Sequence, residues 1–228
     1  MNLIENGTHS TDLGPVVANF LGKKVRANQL LRKNDLEWEG GRYTVSDGAD
    51  TNSESEALRK FTPGQKQLII FWSRSGSTEL LASKLEDLTH ADVYQIALKN
   101  SYPSNYLDSR SRANRERATG HSPAIVTDLP SLDRYQKVYF GFQTWAMELS
   151  EPIKSFLKVY GKYFSNKEIL PFETQGGFGI GSCLSDLSSL LDQAGAQNYQ
   201  IKPALIVNGN RVDEADKTVY KWLKEVRA

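Results

Sequence analysis

The chain has 228 residues, with 28 Lys and Arg against 27 Asp and Glu, so its formal net charge is +1. Balanced charge provides no long-range field of the kind that nucleic-acid or anionic-membrane binders use, so we expect neither partner. The single Cys183 excludes an intramolecular disulfide and a multi-thiolate metal site. Without a leader-like segment or an apolar run of about 20 residues, the sequence predicts a soluble cytoplasmic protein.

The first 64 residues are predicted to form an N-terminal extension, and the rest, 65–228, a single domain. The division rests on a change from polar composition to alternating apolar runs near Pro63-Gly64. Within the extension, apolar spacing from Leu13 to Leu31 predicts a loose helix. A Gly-Gly pair between two alternating runs predicts a β-hairpin over 36–45.

Five apolar runs alternate with amphipathic stretches in the domain. This alternation predicts an α/β fold with an open, mostly parallel sheet that is covered by helices on both faces. Such sheets bind ligands beyond the carboxyl ends of their strands, so the loops that follow the strands are the candidate functional segments. The predicted strands are Leu68–Trp72, Val93–Ala97, Lys137–Phe142, Glu168–Phe172 and Ile201–Val207, and the helices are Thr78–Leu88, Pro152–Tyr160, Ser182–Gln193 and Asp213–Val226.

The loop after the first strand combines hydroxyl side chains with a glycine just before a helix. Unpaired N–H groups at a helix N-terminus attract anions, and Gly76 permits close approach, so the loop predicts a phosphate site. Ordinary helix capping explains the same residues equally well. The loop is not a P-loop, because no Gly-Lys-[Ser/Thr] follows it.

The loops after the third and fourth strands contain an aromatic residue and a glycine cluster. Trp145 can stack on a planar ligand, or it can simply cover the end of the sheet. Gly176, Gly177, Gly179 and Gly181 indicate backbone that runs against a ligand, although a flexible loop is the alternative. A dinucleotide fingerprint is excluded, because Ser182 occupies its last glycine position.

Together these loops resemble the flavodoxin-like family. Phe71–Thr78 is similar to its Tyr-Ser-Arg-Thr-Gly-Asn-Thr phosphate loop, Gly141–Trp145 to its Gly-x-Pro-x-Trp loop, and Pro171–Gly177 to its Pro-Phe-x-Thr-x-Gly-Gly loop. The resemblance implies a three-layer sandwich with a five-stranded parallel sheet of order 2-1-3-4-5, and non-covalent FMN.

The resemblance also implies which residues contact FMN. The residues that would bind the phosphate are Ser73, Arg74, Ser75, Gly76, Ser77 and Thr78. Trp145 would lie against the isoalloxazine, in a loop with Gln143, Thr144 and Ala146. The pyrimidine side would be lined by Thr174, Gln175, Gly176, Gly177, Phe178 and Gly179, with Phe178 as a second aromatic contact.

Three functions stay open at this stage. The first is an FMN-dependent electron carrier or simple flavin oxidoreductase, with an unidentified protein partner or small-molecule acceptor. The second is an NAD(P)H-dependent quinone or FMN reductase. The third is a flavin-free binding module, because Gln143, Ser77 and Phe178 stand where Pro, Asn and a small residue are usual in the family. In that case the N-terminal extension would provide the interaction surface.

Two further features have ordinary explanations. The basic run within Ser109–Ala118 is predicted to be a solvated helix face, with an RNA-binding or partner-docking patch as the minority alternative. Cys183, near a helix start, is predicted to be a partly buried thiol rather than a nucleophile.

Overall fold

The structure is a computed structural model that describes residues 15–32, 38, 40, 56–103 and 105–227. In these residues no helix is both long and apolar enough to cross a membrane. The strands are β1 Val16–Phe20, β2 Lys23–Arg26, β3 Arg59–Lys60, β4 Gln67–Phe71, β5 Asp92–Gln95, β6 Lys137–Trp145, β7 Glu148–Leu149, β8 Glu168–Gln175, β9 Gln200–Ile201 and β10 Leu205–Asn208. The α-helices are α1 Ser77–Thr89, α2 Tyr106–Thr119, α3 Glu151–Tyr160, α4 Cys183–Gln193 and α5 Asp216–Arg227, and short 3-10 helices cover Asn28–Arg32, Gly161–Phe164 and Gly209–Glu214.

The main sheet has the order β10-β8-β6-β4-β5, and all four of these pairings are parallel. Numbered from the first domain strand, this is the predicted order 2-1-3-4-5, which is confirmed. The predicted fifth strand divides into β9 and β10 around Pro203, because proline has no N–H to give to a ladder. The sheet also gains β3, which pairs antiparallel with β5, and β7, which pairs antiparallel with β6.

Each face of the sheet carries its own apolar core, as a three-layer sandwich requires. Successive β4 residues alternate between them, since Ile69 packs in one core and Ile70 in the other. Helices α1 and α5 cover the first face. In α5 the buried residues follow the i, i+3, i+4, i+7 spacing of one helix face: Val219, Trp222, Leu223 and Val226. Helices α3 and α4 cover the second face.

The extension contains a hairpin over residues for which the sequence predicts a helix. Strands β1 and β2 pair antiparallel around Leu21 and Gly22, which have φ of 50° and 84°. Two positive φ angles in a two-residue loop match the twist of a hairpin, so the predicted helix over 13–31 is wrong. Of the hairpin predicted over 36–45, only Trp38 and Gly40 lie in the described residues.

The extension packs into the first core. Phe20, Val25, Ala27 and Leu30 are buried there, against the face that α1 covers. A charged contact accompanies the apolar ones, because Lys23 Nζ lies 3.7 Å from Oε1 of Glu79, whose side chain is fully buried in the first turn of α1. The residues before the predicted boundary at Gly64 therefore share a core with the domain.

Candidate functional site

A cavity of about 470 Å³ opens at the carboxyl ends of β4, β6 and β8. Its volume is in the usual range of small-molecule and cofactor sites. The structure brings thirteen of the sixteen predicted site residues together around it: Ser73, Arg74, Ser75, Thr78, Gln143, Thr144, Trp145, Ala146, Thr174, Gln175, Gly176, Phe178 and Gly179. The other three, Gly76, Ser77 and Gly177, belong to the same loops without lining the cavity.

The loop between β4 and α1 closes on itself just before the helix begins. Ser73 Oγ accepts a hydrogen bond from the N–H of Gly76 at 3.1 Å, which closes the loop on itself. Gly76 is the N-cap of α1, with φ of 85°, and no side chain caps the helix. The first-turn N–H groups have no partner within a helix, so an uncapped, buried N-terminus offers them to a ligand. Positive φ explains why glycine stands here.

Two hydroxyls of the α1 start connect this loop to other segments. Thr78 Oγ1 lies 2.8 Å from Thr174 Oγ1, which joins the first turn of α1 to the carboxyl end of β8. Ser77 Oγ donates to Gln29 Oε1 and to the carbonyl of Gly209, each at 3.0 Å. Ser77, which replaces the family's Asn, is therefore directed to the extension and to the 3-10 helix after β10.

An aromatic cluster forms the wall after β6. The Trp145 ring meets Trp72 and Tyr102 edge-on, with centroids 5.4 Å from each. Edge contacts of this kind are favourable and fix the plane of the indole. Trp145 is only partly buried and lines the cavity. Trp145 therefore packs on the end of the sheet, as one of the two alternatives predicts, and it also lines the cavity.

The turn after Trp145 holds its backbone in a rare conformation. Ala146 and Met147 have φ of 51° and 66°, and they connect β6 to β7 as a two-residue loop. Such loops usually contain Asn or Gly, because a Cβ disfavours positive φ. Ser182 secures the turn by donating its backbone N–H to the carbonyl of Met147 at 2.8 Å. Unfavourable backbone angles that persist in this way are typical of ligand sites.

The glycine-rich loop after β8 is fixed by its neighbours. Gln175 Oε1 accepts from the N–H of Gly179 at 2.8 Å, and its Nε2 donates to Asn208 Oδ1 at 2.5 Å. A Cβ on Gly177 would lie 3.4 Å from the Trp38 ring. Phe178 lines the cavity and is 71% exposed, a large apolar ring left open to solvent.

Two polar groups of the cavity wall lack a hydrogen-bond partner among the described residues. Gln143, which stands where the family has Pro, leaves both amide atoms buried and unpaired. Ser150 Oγ is also buried and lacks a hydrogen-bond partner among the described residues. Buried polar atoms are rarely left unsatisfied, because each costs about 1–3 kcal/mol. Both residues line the cavity, so a polar ligand there would supply the missing partners.

A buried carboxyl lies directly behind the wall. Glu173 Oε1 accepts a short hydrogen bond from Thr144 Oγ1, and Thr144 lines the cavity. Burial raises the pKa of Glu173 from 4.5 to about 7, against the opposing effect of the Thr144 bond. Cys183 Sγ lies 3.3 Å from the same Thr144 oxygen, and burial raises its pKa to about 12. The thiol is therefore fully buried and inert, as a structural cysteine is.

Helix α2 supplies cavity residues that sequence reasoning missed. Arg110 and Arg117 are exposed, as predicted for a solvated face, yet they line the cavity together with Tyr106, Ser109, Ala113 and Asn114. The Arg110 and Arg74 guanidinium carbons each lie 5.8 Å from the Tyr106 ring centroid. The alternating basic residues were a usable signal, but nothing local shows what they face. Gln29 and Gly40 were also missed, since the resemblance does not include the extension.

Comparison with known proteins places this geometry in a family. None of the curated proteins compared with the chain matches it. A candidate flavoprotein from Bacteroides eggerthii DSM 20697 is 26% identical over 72% of this chain and 98% of its own, with a TM-score of 0.57. A candidate flavoprotein from Bacteroides uniformis ATCC 8492 is 24% identical over 71% and 99%, with a TM-score of 0.58.

A third solved structure is that of a flavoprotein from Lactobacillus acidophilus NCFM in complex with FMN. It is 20% identical over 70% of this chain and 99% of its own, with a TM-score of 0.54. The flavodoxin family model matches residues 66–226, which is most of the chain and nearly all of the domain. The loops, the strand order and this match agree, and the chain belongs to the flavodoxin family.

Proposed function

We propose that the cavity binds FMN without a covalent bond and that the protein carries out electron transfer or simple flavin-dependent redox chemistry. One observation carries the proposal: the loops after β4, β6 and β8 open on a single cavity in the family's fold, with an uncapped helix N-terminus at one end and Trp145 at the other. The FMN complex of the similar Lactobacillus protein supports the choice of cofactor.

The residues present fit FMN at both ends. At the phosphate end, the buried Ser73, Ser75 and Thr78 add hydroxyls to the N–H groups of α1, and Arg74 adds a buried positive charge. At the ring end, Trp145 offers an apolar surface, and the unpaired amide of Gln143 offers a donor and an acceptor. An isoalloxazine edge carries both kinds of polar group, so Gln143 fits a flavin despite departing from the motif.

When bound, FMN supplies one- and two-electron redox chemistry, and the protein adjusts it through contacts and burial. Trp145, held by Trp72 and Tyr102, would cover one side of the bound ring and shield it from water. Thr144 connects the cavity wall to Glu173, because its hydroxyl donates to Glu173 Oε1, and burial raises the pKa of this carboxyl to about 7. The contacts at the phosphate end would fix the position of FMN along the cavity.

An absorbance spectrum of the purified protein, repeated after FMN addition and gel filtration, tests the proposal. We expect the protein to retain flavin absorbance bands at about 370 and 450 nm, where oxidised flavins absorb. Fluorescence titration then gives the Kd. A flat spectrum after reconstitution would contradict the proposal and favour a flavin-free binding module on the same fold.

A second candidate is an NAD(P)H-dependent quinone or FMN reductase. One observation favours it: the cavity extends beyond the three flavin loops to α2, where Arg110 and Arg117 line it. Guanidinium groups bind phosphates well, so this wall fits the phosphates of a dinucleotide. We expect a reductase to oxidise NADPH with a quinone present, with a higher KM for NADPH in Arg110→Ala. If the flavin-loaded protein does not oxidise NAD(P)H, the reductase candidate is contradicted and the electron-carrier function remains.

The proposal includes a cytoplasmic location and an unidentified redox partner. The single cysteine, which is buried and not in a disulfide, suits a reducing compartment. The near-neutral net charge supplies little electrostatic steering, so we propose a small-molecule acceptor or a partner recognised by shape rather than by a charged surface.

A further inference from the structure

The extension contacts the phosphate loop through two hydrogen bonds. The backbone N–H of Asn28 donates to the carbonyl of Ser75 at 3.1 Å. The next residue, Gln29, accepts from Ser77 Oγ through its Oε1 at 3.0 Å and lines the cavity. Both contacts fall at the α1 start, where the proposed phosphate end lies. With Oε1 taken by Ser77, the amide Nε2 is the group of Gln29 that can donate to a ligand.

Gln29 is held in place by close packing. Its amide lies against Gly209, where a Cβ would come within 2.9 Å of Gln29 Cδ. The Gly209 carbonyl and Gln29 Oε1 both accept from the Ser77 hydroxyl. Leu30, one residue further on, is buried in the first core. The Gln29 amide is thus positioned by its bond with Ser77, by its contact with Gly209 and by the buried neighbour Leu30.

The extension also contacts the glycine-rich loop. A Cβ on Gly40 would lie 2.5 Å from the carbonyl oxygen of Gly176 and 2.6 Å from Phe178 Cε2, so the two backbones meet where both residues lack a side chain. Trp38 is buried and packs on Gly177. Gly40 lines the cavity. The extension therefore reaches the two ends of the cavity through separate contacts.

We propose that the N-terminal extension is part of the FMN site: Gln29 is a binding residue at the phosphate end, and Trp38 with Gly40 positions the glycine-rich loop. The inference rests on the proposed function. It adds residues outside the range 66–226 that the family model matches. The cofactor is then held by two parts of the chain rather than by the domain alone.

A comparison of FMN with riboflavin tests Gln29, because the two ligands differ only by the phosphate. Gln29→Glu keeps the oxygen that Ser77 binds but replaces the amide donor by a negative charge facing the phosphate. We expect the Kd for FMN to rise at least about tenfold, with the increase reduced by added salt. The Kd for riboflavin should stay within about twofold of the wild-type value.

Gln193→Glu is the matched control, since Gln193 is exposed at the end of α4 and does not line the cavity. It makes the same charge change and should leave both Kd values unaltered. Equal losses for FMN and riboflavin in Gln29→Glu, or no loss for either, would overturn the assignment of Gln29. A wild-type protein that binds neither flavin would instead refute the proposed function.

Trp38 gives an independent readout. Trp38→Ala removes the packing on Gly177, so both FMN and riboflavin should lose affinity by the same factor, about tenfold, while Trp38→Phe retains most of it. Thermal melting of the cofactor-free variants shows whether the fold persists. If Trp38→Ala remains folded and binds both flavins as the wild type does, the extension does not position the glycine-rich loop.

Discussion

The buried carboxyl of Glu173 makes the stability of the protein depend on pH. Its side chain is fully buried, and one oxygen, Oε2, has no hydrogen-bond partner among the described residues. Burial raises its pKa from 4.5 to about 7. A carboxyl whose pKa is higher in the folded state stabilises that state only while it is protonated. Its contribution is complete below about pH 4.5 and is lost as the pH rises to about 7.

The size of the effect follows from the two pKa values. A rise from 4.5 to about 7 corresponds to about 3 kcal/mol of unfolding free energy between low and high pH. Most of this loss of stability occurs at pH values where unfolding can be measured, since about 2.5 kcal/mol should be lost between about pH 5 and pH 8. Glu173→Gln removes the titration, and its amide oxygen can still accept from Thr144.

Urea unfolding of the cofactor-free wild type and Glu173→Gln, measured across about pH 5 to pH 8, tests this reasoning. We expect the variant to become more stable than the wild type by a margin that grows with pH and levels off above about pH 7.5. Groups common to both proteins cancel in the difference. The neighbouring Cys183 does not interfere, because its raised pKa of about 12 lies beyond the range. Parallel pH profiles for the two proteins would refute a neutral, buried Glu173.

Three further substitutions test the packing and the site. Gly141→Ala puts a Cβ 2.5 Å from Phe172 Cε2 and 2.8 Å from Phe71 Cβ; we expect a loss of about 3 kcal/mol in urea unfolding, and an unchanged midpoint would contradict the described core. Gly76→Ala must adopt φ of 85°, which costs about 1–2 kcal/mol in thermal unfolding and should also weaken FMN in a fluorescence titration; wild-type behaviour in both assays would argue against the left-handed cap. Trp145→Ala should raise the Kd for FMN and for riboflavin alike, by roughly tenfold or more. A variant that binds both flavins as tightly as the wild type would show that Trp145 does not contact the flavin ring.

Local sequence was sufficient for the central strands and for the helices that pack on them, because their apolar patterns match the layers of the sandwich. The predicted helix Pro152–Tyr160, for example, differs from α3 by a single residue. The site loops were found for the same reason, since each directly follows a buried strand. Their grouping around one cavity then follows from the parallel order of the strands. The two-residue strands β3 and β7 are too short to show a pattern, and α2 buries only Ser109 and Glu116.

The extension was harder to predict, because its structure depends on partners far along the chain. Leu21-Gly22 interrupts what reads as a helix, and only the turn angles of the fold show that it closes a hairpin. Gln29 has no local signal, since its contact with Ser77 spans 48 residues. Arg110 and Arg117 show the limit of helix patterns, which separate the buried face from the exposed one but not open solvent from the rim of a cavity.

The short strand β3 determines which edge of the sheet can accept another strand. It pairs with only two residues of β5, and its own side chains are engaged: Arg59 with Asp128 at 3.1 Å and Lys60 with Glu86 at 2.6 Å. A two-residue charged edge is a poor template for a further strand. Among the described residues this leaves the opposite edge, β10, as the one where a second copy could extend the sheet, so β3 acts against self-association on its side of the molecule.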